Sequence, residues 1–293
     1  MTPKKSSSPK PLVDVDMDRV VQHTTFRVFR YSGTGDPPTY KEYEVPTKRG
    51  MTVLDGLLWI KENLDGSLAY RASCRMGVCG SCAMMINGKP RLACQTQILD
   101  LNTTVVTVEP LKNYPVIKDL VPELEPLFEK HEAVKPYVMR PGDEQELENP
   151  SGEFEQSPEE LNEFIQFTYC IKCGICLAAC PTVASDPLFL GPQALAQAYR
   201  YTVDTRDGAY AERCDLVDSA HGVWRCHYAG ACTEACPKGV DPALAIQLLK
   251  KKVFQHRVLG KRRKVARVAP KPVGVSRRPN IPEPPARTVA KKE

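Results

Sequence analysis

Two cysteine runs in the second half of the chain constrain it more than any other feature. The first, Cys170-Ile171-Lys172-Cys173-Gly174-Ile175-Cys176-Leu177-Ala178-Ala179-Cys180-Pro181, has the spacing C-x2-C-x2-C-x3-C-P. The second, Cys226-His227-Tyr228-Ala229-Gly230-Ala231-Cys232-Thr233-Glu234-Ala235-Cys236-Pro237, keeps that frame but puts Ala229 where the second Cys belongs. Two-residue gaps let a tight loop turn three sulfurs toward one iron–sulfur cubane, and in paired runs the fourth Cys ligates the other run's cluster. This crossing makes Cys170, Cys173, Cys176 and Cys236 a complete four-thiolate set. It leaves Cys180, Cys226 and Cys232 as three thiolates facing a methyl group. A cubane short of one protein thiolate can lose its unligated iron, so the runs predict one [4Fe-4S] and one [3Fe-4S] cluster. Zinc also uses C-x2-C pairs, but a four-ligand ion would leave three of these seven Cys without a role.

A third set lies upstream. Cys74, Cys79, Cys82 and Cys94 have the spacing C-x4-C-x2-C…C, that of a plant-type [2Fe-2S] site, with Gly77 and Gly80 inside the loop where backbone N–H groups approach the sulfides. The surrounding pattern is that of strands. Thr24 to Tyr31 alternates apolar and polar residues, Gly33, Gly35, Pro37 and Pro38 form a turn, and Tyr40 to Val45 reads as the partner strand. Thr52 caps a short helix over Val53–Ile60, with Asp55 three residues on. Ala83–Ile86, the turn Asn87-Gly88, a return strand into Cys94 and a run from Thr103 to Val108 follow. Two strands followed by a helix open a β-grasp fold, so residues 19–122 are expected to form a β-grasp [2Fe-2S] domain.

Beyond residue 123 the period becomes helical. Leu124, Leu127 and Phe128 fall on one face of a helix expected over Glu123–Val134. Residues 143–160 hold eight acidic residues and no basic one, which predicts a solvent-facing loop. It ends at Ser157-Pro158-Glu159-Glu160, a capping box with Pro at the first helical position, and the helix it starts is expected to run into Cys170. Gly191-Pro192 opens another helix, and Asp241-Pro242 opens a third that extends to about His256. The fold class expected is therefore α+β: a β-grasp domain, then an all-helical ferredoxin-like domain over residues 123–260 with cluster loops between its helices. Cys214, outside all three sets, reads as a buried structural thiol.

The ends carry different signals. Residues 1–18 lack an apolar period and read as a flexible leader; with Asp14 and Asp16 but no Arg before Arg19, they do not suit a transit peptide. From Lys261 onward eleven Lys or Arg stand against Glu283 and Glu293, a net of +9, so the rest of the chain carries about −4 of the total +5. Six prolines between Pro270 and Pro285 make residues 261–293 an extended tail, solvated or bound along a partner rather than nucleic-acid-binding. No apolar stretch reaches the 18 residues expected of a membrane span, and the metal-spaced Cys, without a signal-peptide core, favour a reducing compartment.

With three cluster sets in this order, residues 20–258 resemble the iron–sulfur subunit of succinate dehydrogenase and fumarate reductase. The likeness rests on Ser73-Cys74-Arg75-Met76-Gly77-Val78-Cys79-Gly80-Ser81-Cys82, Leu92-Ala93-Cys94, the Cys170 run, Leu190-Gly191-Pro192, Arg206-Asp207, and Arg225-Cys226-His227 through Cys236-Pro237-Lys238-Gly239. The resemblance implies an electron-carrying subunit of the tricarboxylic acid cycle and respiratory chain. It would lie peripherally on the cytoplasmic face of a bacterial plasma membrane. Its partners would be an FAD-containing flavoprotein, membrane anchor subunits of a type that includes haem b-containing members, and quinone, with no nucleic acid. Pro181 and His227 match family positions at the quinone pocket, His227 suiting equally a hydrogen-bond donor to the cluster sulfides, while Pro181–Ser185 holds no Trp, where the family often has one.

Overall fold

The computed structural model describes residues 19–260 and 265–270; the expected leader, and the tail beyond its first stretch, lie outside the described residues. Strands β1 (Val20–Arg30) and β2 (Thr39–Lys48) form an antiparallel hairpin, followed by helix α1 (Val53–Asn63). Thr52 and Asp55 cap α1 reciprocally: the Asp55 N–H donates to Thr52 Oγ1, and the Thr52 N–H donates to the Asp55 carboxylate. Strands β3 (Ala83–Ile86), β4 (Lys89–Leu92) and β5 (Val105–Glu109) complete a five-stranded sheet of order β2-β1-β5-β3-β4, in which only β1 and β5 run parallel. Between β3 and β4, Asn87 and Gly88 both have positive φ, as a two-residue type I′ hairpin requires.

Strand alternation places Phe26, Val28, Tyr43, Val45, Val106 and Val108 on one buried face, against Val53, Leu54, Leu57 and Ile60 of α1. Fully burying each such side chain contributes about 1.5–3 kcal/mol. This is the β-grasp arrangement that the opening hairpin and helix led us to expect. The short hairpin β6 (Val116–Lys118) and β7 (Val121–Pro122) leads out of the domain.

The second domain begins with α2 (Glu125–Ala133). The acidic segment is not a plain loop: it holds α3 (Glu144–Glu148) and β8 (Gly152–Phe154), then the predicted capping box at Ser157 and α4 (Pro158–Asn162). The helix expected to run unbroken into Cys170 is interrupted at Glu163 and Phe164 and resumes as α5 (Ile165–Thr168), because Phe164 is drawn into the core. Four short or medium helices follow, α6 (Ile175–Ala178), α7 (Pro181–Ser185), α8 (Gly191–Val203) and α9 (Tyr210–Val217). After them come α10 (Ala231–Glu234) and α11 (Pro242–Leu259), the latter capped by Asp241 as predicted. Eleven of the 13 residues of α8 are buried, so this helix is the axis of the domain, with α2, α5, α9 and α11 packed around it.

The tail's first stretch supplies β9 (Val268–Pro270), antiparallel to β8. Extension was expected; pairing with this chain's own acidic segment was not. Gly152 is required by close approach, since a Cβ there would stand 1.7 Å from the Ala269 carbonyl oxygen. Gly152→Val is therefore expected to open the β8–β9 pair and leave the cluster spectra unchanged. Amide exchange at Glu155, whose N–H donates to the Arg267 carbonyl at 2.9 Å, should quicken by about tenfold or more. Unchanged exchange there would mean that the pairing does not persist in solution.

Candidate iron–sulfur cluster sites

The first set sits in the loop between α1 and β3 and at the end of β4. Cys74 Sγ accepts N–H groups from Met76, Val78 and Cys79 at 3.4, 3.3 and 3.3 Å, and Cys82 Sγ accepts the Cys94 N–H at 3.5 Å. Backbone wrapped around sulfur in this way stabilises thiolate without bringing in a cationic side chain. Hydrogen bonding from Ser81 holds the exposed Cys79 thiol down at about 6, whereas burial pushes Cys82 up to about 12. Met76 and Val78, apolar and more than half exposed, flank the loop at the surface.

The two runs fold alike. Lys172 and Tyr228, each third in its run, both have positive φ, and Gly174 and Gly230 precede α6 and α10 in the left-handed region at φ +80 and +76. Ala229 thus changes one side chain on an otherwise repeated backbone. Two cavities separate the seven thiols. Cys170, Cys173, Cys176 and Cys236 wall the first, together with Gln193 and Ala196 of α8. Cys180, Cys226 and Cys232 wall the second, and Ala229, Pro181 and Pro192 also line it. His227 is exposed and is not part of that wall. No group of three or more His, Cys, Asp or Glu among the described residues is gathered as a single metal ion requires. The thiols stand instead around the sides of cavities.

Burial pushes Cys173 up to about 12, Cys232 up to about 11 and Cys176 well above the ordinary thiol range. Thiols held protonated by burial would lose those protons on binding a metal, so loading such sites would release protons to solvent and add binding free energy to folding. Cys214 is fully buried, and burial raises its thiol to about 11, in keeping with an inert core residue.

Several supporting residues left no mark in the motif reading. Asn113 Nδ2 donates to the carbonyls of Leu177, Ala178 and Cys180 at 2.8, 3.3 and 3.4 Å, and Tyr114 Oη donates to the Gly174 carbonyl at 3.1 Å. The first domain thereby grips the helix that separates Cys176 from Cys180. Gly80, between Cys79 and Cys82, lies against the first run: a Cβ there would be 2.7 Å from Cys173 Cβ. Lys250 of α11 reaches the Cys226 carbonyl at 2.9 Å. Asn113, Tyr114 and Lys250 are lone side chains acting across the fold, which no spacing announces; Gly80 was expected in the loop, but not against Cys173.

Three thiol sets on a β-grasp domain and a helical dicluster domain define an iron–sulfur electron carrier. Residues 25–129 match the 2Fe-2S iron-sulfur cluster binding domain family, and residues 166–240 match the 4Fe-4S dicluster domain family. The fumarate reductase iron-sulfur subunit of Mycobacterium tuberculosis (strain CDC 1551 / Oshkosh) is 48% identical over 241 residues, covering 82% of this chain and 95% of that protein. The succinate dehydrogenase iron-sulfur subunit of Paracoccus denitrificans is 39% identical over 228 residues, 77% of this chain and 86% of that one. A chain of the Mycobacterium smegmatis Sdh1 complex in the apo form superposes with a TM-score of 0.71 at 29% identity, covering 80% of this chain and 97% of that chain. The chain belongs to the family of iron–sulfur subunits of fumarate reductase and succinate dehydrogenase, the electron-transfer subunits of those oxidoreductase complexes.

Proposed function

We propose that the chain holds [2Fe-2S] through Cys74, Cys79, Cys82 and Cys94, [4Fe-4S] through Cys170, Cys173, Cys176 and Cys236, and [3Fe-4S] through Cys180, Cys226 and Cys232. The observation that carries this reading is the division of the seven dicluster thiols between two cavities as four and three, with Ala229 among the residues that line the second. When bound, the clusters supply a one-electron relay between the FAD of a flavoprotein subunit, which interconverts succinate and fumarate, and quinone at a membrane anchor.

The chain's own residues hold and orient. Gly80, without a side chain, lets the [2Fe-2S] loop rest on Cys173; Asn113 and Tyr114 fix the helix between the two dicluster cavities. Met76 and Val78 offer an apolar contact to the flavoprotein beside the first loop. Leu188, Trp224 and Tyr228, at 69, 48 and 59% exposure, offer another to the anchor near the second cavity, with Pro181 and His227 toward quinone. Among the described residues no helix is long and apolar enough to cross a membrane, which suits a peripheral seat on such an anchor at the cytoplasmic face of a bacterial plasma membrane.

Anaerobically purified complex containing this chain, placed in lipid nanodiscs with quinone, is expected to pass electrons from succinate through all three EPR-visible centres. Flavin reduced by succinate while the clusters stay oxidised would overturn the reading. Gly80→Ala tests the contact between domains. The added methyl, at φ +77 and 2.7 Å from Cys173 Cβ, should part the two loops and slow succinate-to-quinone turnover while flavin reduction stays at its original rate. Equal turnover in the variant would remove Gly80 from the path.

A further inference from the structure

Gln193 is a polar side chain on the most buried helix of the protein, 2% exposed, and it lines the four-thiol cavity. Its Nε2 lies 3.2 Å from His131 Nδ1 and 4.0 Å from Cys170 Sγ, while its Oε1 is buried and has no partner. An amide nitrogen carries two protons, and here two acceptors face it. Burial, with the Lys172 cation nearby, holds His131 down at about 4, so the imidazole is neutral at pH 7. Its Nδ1 then has a lone pair for one amide proton, with the ring proton on Nε2. The reverse amide orientation would turn Oε1 toward a thiolate, acceptor against acceptor. The geometry leaves a buried carbonyl unpaired in order to point N–H at sulfur, an arrangement that core packing alone does not call for.

We propose that Gln193 raises the reduction potential of the four-thiolate cluster by donating an N–H to Cys170 Sγ, and that His131 holds the amide in the orientation that permits it. The inference rests on the cluster assignment above. Reduction adds one electron and no proton to the centre, and the added negative charge is shared with the ligand sulfurs. A donor to one of those sulfurs therefore favours the reduced state. His131 touches no ligand and acts only through Gln193.

The test is a redox titration of the anaerobically purified complex, followed by EPR, for the wild type, Gln193→Leu and His131→Phe. The four-iron midpoint is expected to fall in both variants, further in Gln193→Leu, while the [2Fe-2S] and three-iron midpoints stay in place. An unchanged four-iron midpoint in Gln193→Leu would overturn the proposal, as would a common drift of all three centres, which marks general loosening. Should Gln193→Leu fail to retain its iron, Gln193→Met, of similar length and without a donor, is read against the same outcomes. A wild-type complex with no four-iron resonance would instead refute the cluster assignment, a failure distinct from an unmoved midpoint.

Discussion

Ala229→Cys is expected to convert the three-iron centre into a four-iron one. Ala229 occupies the position of Cys173 in a repeated backbone, after a left-handed third residue and before a left-handed glycine, and it is one of the residues lining the cavity of Cys180, Cys226 and Cys232. The iron content should rise from about nine to about ten atoms per chain, and the three-iron signal of the oxidised protein should disappear. Because a fourth thiolate adds negative charge to the centre, its potential should fall and quinone reduction should slow. An unchanged oxidised spectrum with the same iron content would mean that the Ala229 side chain does not face the missing corner.

Arg213→Ala is expected to destabilise the helical domain by about 3–5 kcal/mol, the usual cost of breaking a buried ion pair from one side. Arg213 on α9 is 0% exposed and Asp207 is 2% exposed. The guanidinium grips the carboxylate in bidentate fashion at 2.8 and 3.1 Å, and it also donates to the carbonyls of Lys135 and Tyr137. Asp207 in turn accepts the N–H groups of Met139 and Ala209 at 2.9 Å each. The pair thus ties the segment after α2 to α9, and alanine would leave a carboxylate in the core without its counter-charge. Arg213→Met combined with Asp207→Asn should recover much of the loss, since it removes both charges and keeps an acceptor. Denaturation followed by bleaching of the cluster absorbance measures both variants; a single variant within about 1 kcal/mol of wild type would assign the pair no structural weight.

The [2Fe-2S] domain and the dicluster domain were legible because their determinants are local. Six of the seven dicluster cysteines stand within a few positions of another, and ligand number together with spacing favours iron–sulfur loops over zinc pairs. The caps at Thr52, Ser157 and Asp241 were legible for the same reason, each depending on residues three apart. What escaped depends on contacts between distant segments. An acidic stretch and a proline-rich tail gave no apolar period, yet Gly152–Phe154 pairs with Val268–Pro270, a backbone match that side-chain patterns do not record. Phe164 looked like one more apolar position in a continuous helix, but its place in the core breaks the helix between α4 and α5. Asn113, Tyr114, His131 and Gln193 act by side-chain hydrogen bonds across elements, and each is unremarkable in its own stretch of sequence.

The most direct measurement of the central claim is EPR spin quantification on oxidised wild-type complex, set against its iron content. The account predicts a three-iron signal of about one spin per chain alongside about nine iron atoms. A full iron complement with no three-iron signal would contradict it, and would mean that something other than a Cys thiolate completes the cluster at Ala229.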